Sequence, residues 1–327
     1  MTGSARWGMT IPVDGVPLHR QAEVARELEG LGYTDLWTGE GTSTDGFTPL
    51  AVAAAVTQHV HLGIAIAPVF TRGPALLAQT AATLAATAPG RFSLGLGSSS
   101  DVIVERWNAV PFTRPLARTR DLLRFLRRAL AGERIDEQFD TFAVRGFRSA
   151  IIPDPAPGLL VAALRPKMLA LAGAEADGAI LNWLSAPDVA RIAPAVLGQA
   201  GVTPAARREI VARLMVVPTA DAEAARRIGR RAIAAYLNVG VYKAFHQDLG
   251  RDALEPMWKL WAAGDRAGAL AAIPDHVVDE LIVHGPPEAC REHLAQYVAH
   301  GVTVPVIFVL PAPGVDPLQA CRDLAPR

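Results

Sequence analysis

The sequence predicts an α/β fold closed as a (β/α)8 TIM barrel, with a helical insertion between its seventh and eighth strands. Three observations carry this expectation. Short apolar runs alternate with longer amphipathic segments along all 327 residues. Eight runs are strand-like, at residues 6–12, 35–40, 61–69, 92–98, 158–164, 178–183, 209–217 and 304–310. Several are apolar without alternation, which is how strands buried on both faces read. Strand and helix alternating eight times describe a closed parallel barrel, an open doubly wound sheet being the other arrangement of that pattern.

The connections support the strands in turn. After the first run, QAEVARELEGLGY sets Ala22, Ala25, Leu28 and Leu31 at helical spacing and stops at Gly32, just before the second strand. Late in the chain, PEACREHLAQYVAHG opens with Pro287 near its first turn and stops at Gly301, just before the eighth. Two stretches break the rhythm. Residues 136–157 hold turn residues and aromatics without a long helical pattern, and read as a small hairpin or loop insertion. Residues 218–285 exceed one connection and hold helix-like pieces such as DAEAARRIGRRAIAAYL and ALEPMWKLWAAGD. No Ser/Gly-rich linker divides the chain, so it reads as one domain over residues 1–327.

Composition narrows the function. Hydrophobic residues are 50% of the chain, the formal net charge is zero and the pI is about 7.1. That balance points away from nucleic acid and anionic membranes. Cys290 and Cys321 lie in helix-like segments far from the Gly-rich turns, and read as reduced structural thiols. The eight histidines show no metal-ligand spacing, and His59 and His61 read as flanking a loop. The start, MTGSARWGMTIP, lacks the pattern of a signal peptide, and a cytoplasmic protein is expected.

In a parallel barrel, chemistry sits at the C-terminal ends of the strands. Those ends offer Thr10, Pro12 and Asp14; Glu40 and Asp45 in TGEGTSTDGF; Arg72 in PVFTRGP; GLGSSSDVIVERWN; LRPKM; and Asn182 with Trp183. GLGSSSD lacks the third glycine of a dinucleotide fingerprint. Gly95 and Gly97 there suit close approach to a neighbouring strand or a ligand. Ser98, Ser99, Ser100 and Asp101 suit either helix capping or a polar ligand. Glu40 ends an apolar strand and reads either as an acid/base group or as a carboxylate tied to the TSTDG turn. Asp45 precedes Gly46 and favours a turn role. Arg72 suits an anion or solvent, and Trp183 suits ring stacking or rim packing.

Four stretches together resemble the luciferase-like monooxygenase superfamily, and within it the branch that uses the deazaflavin coenzyme F420. They are DLWTGEGTSTDGFTPLAVAA, LGIAIAPVFTRGPALLAQTAATLAATAPGRFSLGLGSSSDVIVERWN, ALRPKMLALAGAEADGAILNW, and YLNVGVYKAF followed by VDELIVHGPPEACREHLAQYVAHGV. The resemblance implies a cofactor ring at the barrel mouth, backed by a bulge in strand three with a non-prolyl cis peptide expected at Ile64–Ala65. It implies a phosphate-binding backbone at Ala163, Leu164 and Arg165, and cofactor contacts at Thr10, Ile64, Ala65, Ile66, Gly97, Ser98, Asn182 and Trp183. Glu40 becomes the catalytic acid/base candidate, and Asp45, Arg72, Asp101 and Trp107 the substrate candidates. Ser98 stands where some sugar-phosphate dehydrogenases of the branch carry glutamate, which argues against that substrate. The expected activity is hydride transfer between F420 and an organic substrate, in a homodimer. The rivals are an FMN-dependent monooxygenase on the same fold and a barrel that only binds.

Overall fold

In the computed structural model, the described residues are 6–198, 201 and 208–326. They form strands β1 (Gly8–Thr10), β2 (Asp35–Thr38), β3 (His61–Pro68), β4 (Phe92–Gly97), β5 (Ile135–Gln138), β6 (Ala143–Phe147), β7 (Gly158–Ala162), β8 (Gly178–Asn182), β9 (Glu209–Val217), β10 (Ile282–His284) and β11 (Val304–Val309). Eight of them close a parallel barrel in the order β1-β2-β3-β4-β7-β8-β9-β11, with β11 returning to β1. The eight predicted strands are the eight barrel strands. The first is shorter than its predicted run, beginning at Gly8 and giving way after Thr10 to a bend with a cis Ile11–Pro12 bond.

The helices are α1 (Gln21–Gly30), α2 (Thr48–Val56), α3 (Pro74–Thr87), α4 (Pro115–Leu130), α5 (Pro166–Glu175), α6 (Ala186–Leu197), α7 (Ala222–Leu237), α8 (Gly240–Asp248), α9 (Glu255–Ala262), α10 (Arg266–Ala271), α11 (Asp275–Leu281), α12 (Pro287–Ala299) and α13 (Pro317–Asp323). Proline in the first turn starts α2, α3, α4, α5, α6 and α12, where its missing N–H costs no intrahelical bond. No helix among the described residues is long and apolar enough to cross a membrane.

Two apolar layers explain why the strands read as continuous hydrophobic runs. Met9, Leu36, Ile64, Leu94, Val161, Leu181, Ala212 and Ile307 face outward under the helices and are fully buried. Trp37, Leu160, Ile180, Val211, Val304 and Val306 fill the barrel interior. Each Val, Leu, Ile or Met among them contributes roughly 1.5–3 kcal/mol by leaving water. The N-terminal end of the barrel is sealed by charge: Arg6 pairs with both Asp35 and Glu209. His61 lies there too, on the first residue of β3 and hydrogen-bonded to Ser93 Oγ at 2.9 Å. The expectation that it flanks a loop is corrected, because its side chain belongs to the inward face of a strand.

Both insertions exist. The first is the antiparallel hairpin β5–β6. The second carries α7 to α11, as expected, but ends in a strand that the helical reading missed. β10 pairs with Met215–Val217 of β9, beyond the point where β8 has stopped at Arg213. It is only three residues long and lies between helices, so periodicity could not reveal it. Ile233, Leu237, Met257, Trp258 and Val277 give the insertion a core of its own, and Trp183 and Val217 join it to the barrel.

Candidate active site at the barrel mouth

Alternate residues of each strand face the barrel axis. Near the C-terminal ends these positions are Thr10, Gly39, Ala65 and Ile66, Gly97, Ala162, Asn182, Arg213 and Phe308. The mouth therefore has two unlike sides. From β2 to β7 the inward groups are small or compact. From β8 to β11 they are larger and polar or aromatic.

The small side is shaped by a bulge. β3 pairs Ile64 with Leu94 and then Ala67 with Leu96, so β3 holds one extra residue. The non-prolyl cis bond inside it is Ala65–Ile66, which corrects the expected Ile64–Ala65 by one residue. The side chains follow the same correction. Ile64 is fully buried in the outer layer, whereas Ala65 and Ile66 pack with the barrel interior. Ile64 therefore supports the bulge from behind and offers no side chain to the mouth. Gly95 makes room for the bulge, since a Cβ there would lie 2.2 Å from the Ile64 carbonyl oxygen. Gly97 plays the same part at the rim, where a Cβ would meet Ile66 Cγ1 at 2.9 Å and Ala162 Cβ at 3.1 Å. The close-approach reading of both glycines is thus met by contacts with β3 and β7.

The other side presents polar atoms without partners. Thr10 Oγ1, Asn182 Oδ1, Trp183 Nε1 and Arg213 Nε are buried and make no hydrogen bond. A buried orphan of this kind costs about 1–3 kcal/mol. Of nine such atoms among the described residues, these four lie near the C-terminal ends of β1, β8 and β9, where a polar ligand would supply partners.

Arg213 is the residue that sequence reasoning missed. Its guanidinium lies 4.0 Å from the centre of the Phe308 ring. Burial lowers its pKa from the ordinary arginine value, with Tyr236, Tyr242 and Asp14 opposing that shift. Tyr236 sits at the end of α7 and packs 5.0 Å from Trp183, ring centre to ring centre. Tyr242, on α8, accepts a 3.4 Å hydrogen bond from Asn182 Nδ2. The helical insertion thus forms one wall of the mouth.

Glu40 and Arg72 meet at the opposite rim. Arg72 Nη1 donates to Glu40 Oε2 at 2.5 Å, and the Gly46 N–H donates to Glu40 Oε1 at 3.0 Å. Glu40 is thus tied to the TSTDG turn, with 12% of its side chain exposed at the rim. Arg72 also lies 4.7 Å from the centre of the Phe47 ring. Asp45 is exposed and starts α2, accepting N–H bonds from Phe47 and Thr48 at 2.9 Å. Burial of its carboxyl opposes charge, but those donors and Arg72 prevail and hold its pKa below the ordinary value.

The remaining candidates separate. Ser100 Oγ accepts from the Ile103 N–H at 3.3 Å, which is the capping role. Ser98 is half-buried beside Gly97, and Ser99 takes a positive φ of 62°. Asp101 precedes a π-helical turn over Val102–Trp107 and Trp107 ends it; Asp101 pairs with Arg106 at 3.7 Å and Trp107 is 52% exposed. The buried Ala163 donates its N–H to the Ile180 carbonyl, while Leu164 and Arg165 lead into α5. Arg165 is exposed and paired with Asp248 at 3.1 Å, and Lys167 faces solvent. Trp183 is buried with a positive φ of 56°. Two surface concavities lie elsewhere, one of about 420 Å³ beside α4 and one of about 220 Å³ at the N-terminal end of the barrel. Neither is lined by Thr10, Asn182, Trp183 or Arg213.

Known proteins share this framework. The luciferase-like monooxygenase family matches residues 3–304. A putative coenzyme F420-dependent oxidoreductase of Mycobacterium tuberculosis is 30% identical over 334 aligned positions, covering 94% of each chain. A 5,10-methylenetetrahydromethanopterin reductase of Methanolobus tindarius is 26% identical, covering 90% of each. Among solved structures, the coenzyme F420-dependent tetrahydromethanopterin reductase from Methanopyrus kandleri superposes with a TM-score of 0.82 at 18% identity, over 98% of this chain and 97% of that one. The bulged third strand, the glycines that accommodate it and these matches lead to one conclusion: the chain belongs to the luciferase-like monooxygenase family and is an oxidoreductase built on its barrel.

Proposed function

We propose that the protein is a coenzyme F420-dependent reductase that moves a hydride between the deazaflavin and a small organic substrate. One observation carries the reading. Compact inward residues, Ala65, Ile66, Gly97 and Ala162, share the mouth with buried polar atoms that lack partners in Thr10 and Asn182. A flat ring with polar edges matches both features. The F420 dependence of the relative at 30% identity favours the deazaflavin among flat-ring cofactors.

The division of labour follows from the residues. The bulge backs the ring, and Gly97 keeps the rim open. Leu164 and Arg165, entering α5, are the segment for the cofactor's phosphate, because a helix N-terminus directs N–H groups at an anion. Bound there, the deazaflavin supplies or accepts the hydride at its ring carbon. Glu40, a carboxylate fixed by Arg72 and the Gly46 N–H, is the group to accept or relay the matching proton at the substrate. Trp183, Tyr236 and Tyr242 keep water from one side of the mouth.

Equilibrium titration of the purified protein with reduced F420 and with reduced FMN tests this. F420 is expected to bind at least about tenfold more tightly, a difference of about 1.4 kcal/mol. Tighter FMN binding would move the protein to the flavin-dependent monooxygenase reading, and binding of neither would leave the mouth without its cofactor.

A further inference from the structure

The cofactor reading leaves a charged group without a task. Arg213 projects inward from β9, the seventh strand of the barrel, and the bulge lies on β3, the third. In an eight-stranded barrel those strands stand opposite each other across the axis. A ring seated on Ala65 and Ile66 would therefore have its open face turned toward Arg213.

The surroundings of Arg213 define what it can bind. The ring of Phe308 lies 4.0 Å from the guanidinium centre, which favours recognition along the guanidinium edge. Nε on that edge has no partner, while Tyr236 hydrogen-bonds the guanidinium and Asp14 acts on it electrostatically. No carboxylate of the described residues makes a salt bridge with it, although the other arginines of the mouth are paired, Arg72 with Glu40 and Arg165 with Asp248. A planar fork with a free edge matches a carboxylate, which accepts two parallel N–H bonds. Charge favours a monoanion, because a phosphate dianion would bring two negative charges to one cation. Tyr236 and Tyr242 add hydroxyls beside the guanidinium and aromatic walls for the body of the ligand.

Resting on the proposed cofactor site, we propose that the substrate is a small organic acid whose carboxylate is held by Arg213 between Phe308, Tyr236 and Tyr242, across the mouth from the cofactor. Substrate reduction would then occur on an unsaturated group placed between that anchor and the bulge. Specificity would be set by β9 and the helical insertion, with Glu40 at a separate rim position.

The test uses protein loaded with F420 and three probes: benzoate, benzamide and phenyl phosphate. Binding is read from the perturbation of cofactor absorbance and from calorimetry. Benzoate is expected to bind, with benzamide and phenyl phosphate at least about tenfold weaker. Arg213→Met should weaken benzoate about ten- to a hundredfold, the scale of a lost charge-assisted hydrogen bond, and leave F420 affinity unchanged. Tyr236→Phe, which keeps the fold's packing, should weaken benzoate by a smaller factor. Equal binding of benzoate and benzamide would overturn the proposal, as would tighter phenyl phosphate. An Arg213→Met variant that loses F420 in step with benzoate would assign the arginine to the cofactor instead. If F420 fails to bind the wild-type protein, calorimetry of benzoate on wild type and variant still decides the anion site, and only the cofactor reading falls.

Discussion

Replacing Glu40 by glutamine separates proton transfer from positioning. The carboxylate receives Arg72 Nη1 at 2.5 Å and the Gly46 N–H at 3.0 Å, and neither side chain of the ion pair is more than 20% exposed. Glutamine keeps an oxygen for the Gly46 N–H and loses the charge facing Arg72. Stability should therefore fall by about 1.5–3 kcal/mol, the range for a hydrogen bond to a charged group. If Glu40 handles the proton, turnover with F420 should fall by about a hundredfold or more, while F420 affinity changes little. Arg72→Met is the control, since it breaks the same ion pair but keeps the carboxyl. Its turnover should fall much less than that of the glutamine variant. Steady-state kinetics, with cofactor titration of each variant, supply the measurements. Full turnover in Glu40→Gln would refute the proton role. Equal losses in the two variants would show that the ion pair matters and the proton does not.

Gly97→Val should obstruct the cofactor cleft, because even a Cβ at that position lies 2.9 Å from Ile66 Cγ1 and 3.1 Å from Ala162 Cβ. F420 affinity should drop at least about tenfold with circular dichroism unchanged, and unchanged affinity would remove Gly97 from the site. Asp188→Asn should loosen the insertion, since Asp188 Oδ2 accepts from Arg251 at 2.6 Å and from Ser185 Oγ and N at 2.7 and 2.8 Å. Breaking a buried pair of this kind costs about 3–5 kcal/mol. Burial opposes the Asp188 charge, but Arg251 and Ser185 outweigh it and hold the folded pKa below the ordinary value. The sign is that of a depressed carboxyl: its stabilisation is present above the unfolded pKa of about 3.9 and is lost as pH falls through the folded value. The gap between wild type and variant in thermal unfolding should therefore narrow below about pH 4, and a gap constant with pH would refute the assignment.

The barrel was legible because its strands are buried on both faces. Runs such as LLVAA and GAILN need no alternation to be strands, and the glycines and prolines between them punctuate the helices. The same feature hid the site. In EIVARLMVV the inward positions are Glu209, Val211 and Arg213 and the outward ones, Ile210, Ala212 and Leu214, are apolar, but the sequence alone does not say that the charged face is the barrel interior. Arg213 reads as one charge in a long strand, and only the pairing of Asn182 with Arg213 places it at the mouth. Tyr236 and Tyr242 were still less visible, since they come from an insertion whose docking no local pattern encodes.

Glu40, Asp45 and Arg72 were visible because they interrupt apolar context next to turn residues, which is where a barrel keeps its rim groups. What the sequence could not apportion was their duties. Asp45 is spent on starting α2, while Arg72 divides between the Phe47 ring and Glu40. A rim carboxylate with its own counter-ion has its charge settled within the protein. A cation on the far side with a free edge does not. The charges of this mouth are thus asymmetric, with Glu40 balanced by Arg72 and Arg213 without a salt bridge among the described residues. On the proposed reading, that imbalance, rather than any motif, would direct a negatively charged substrate toward β9.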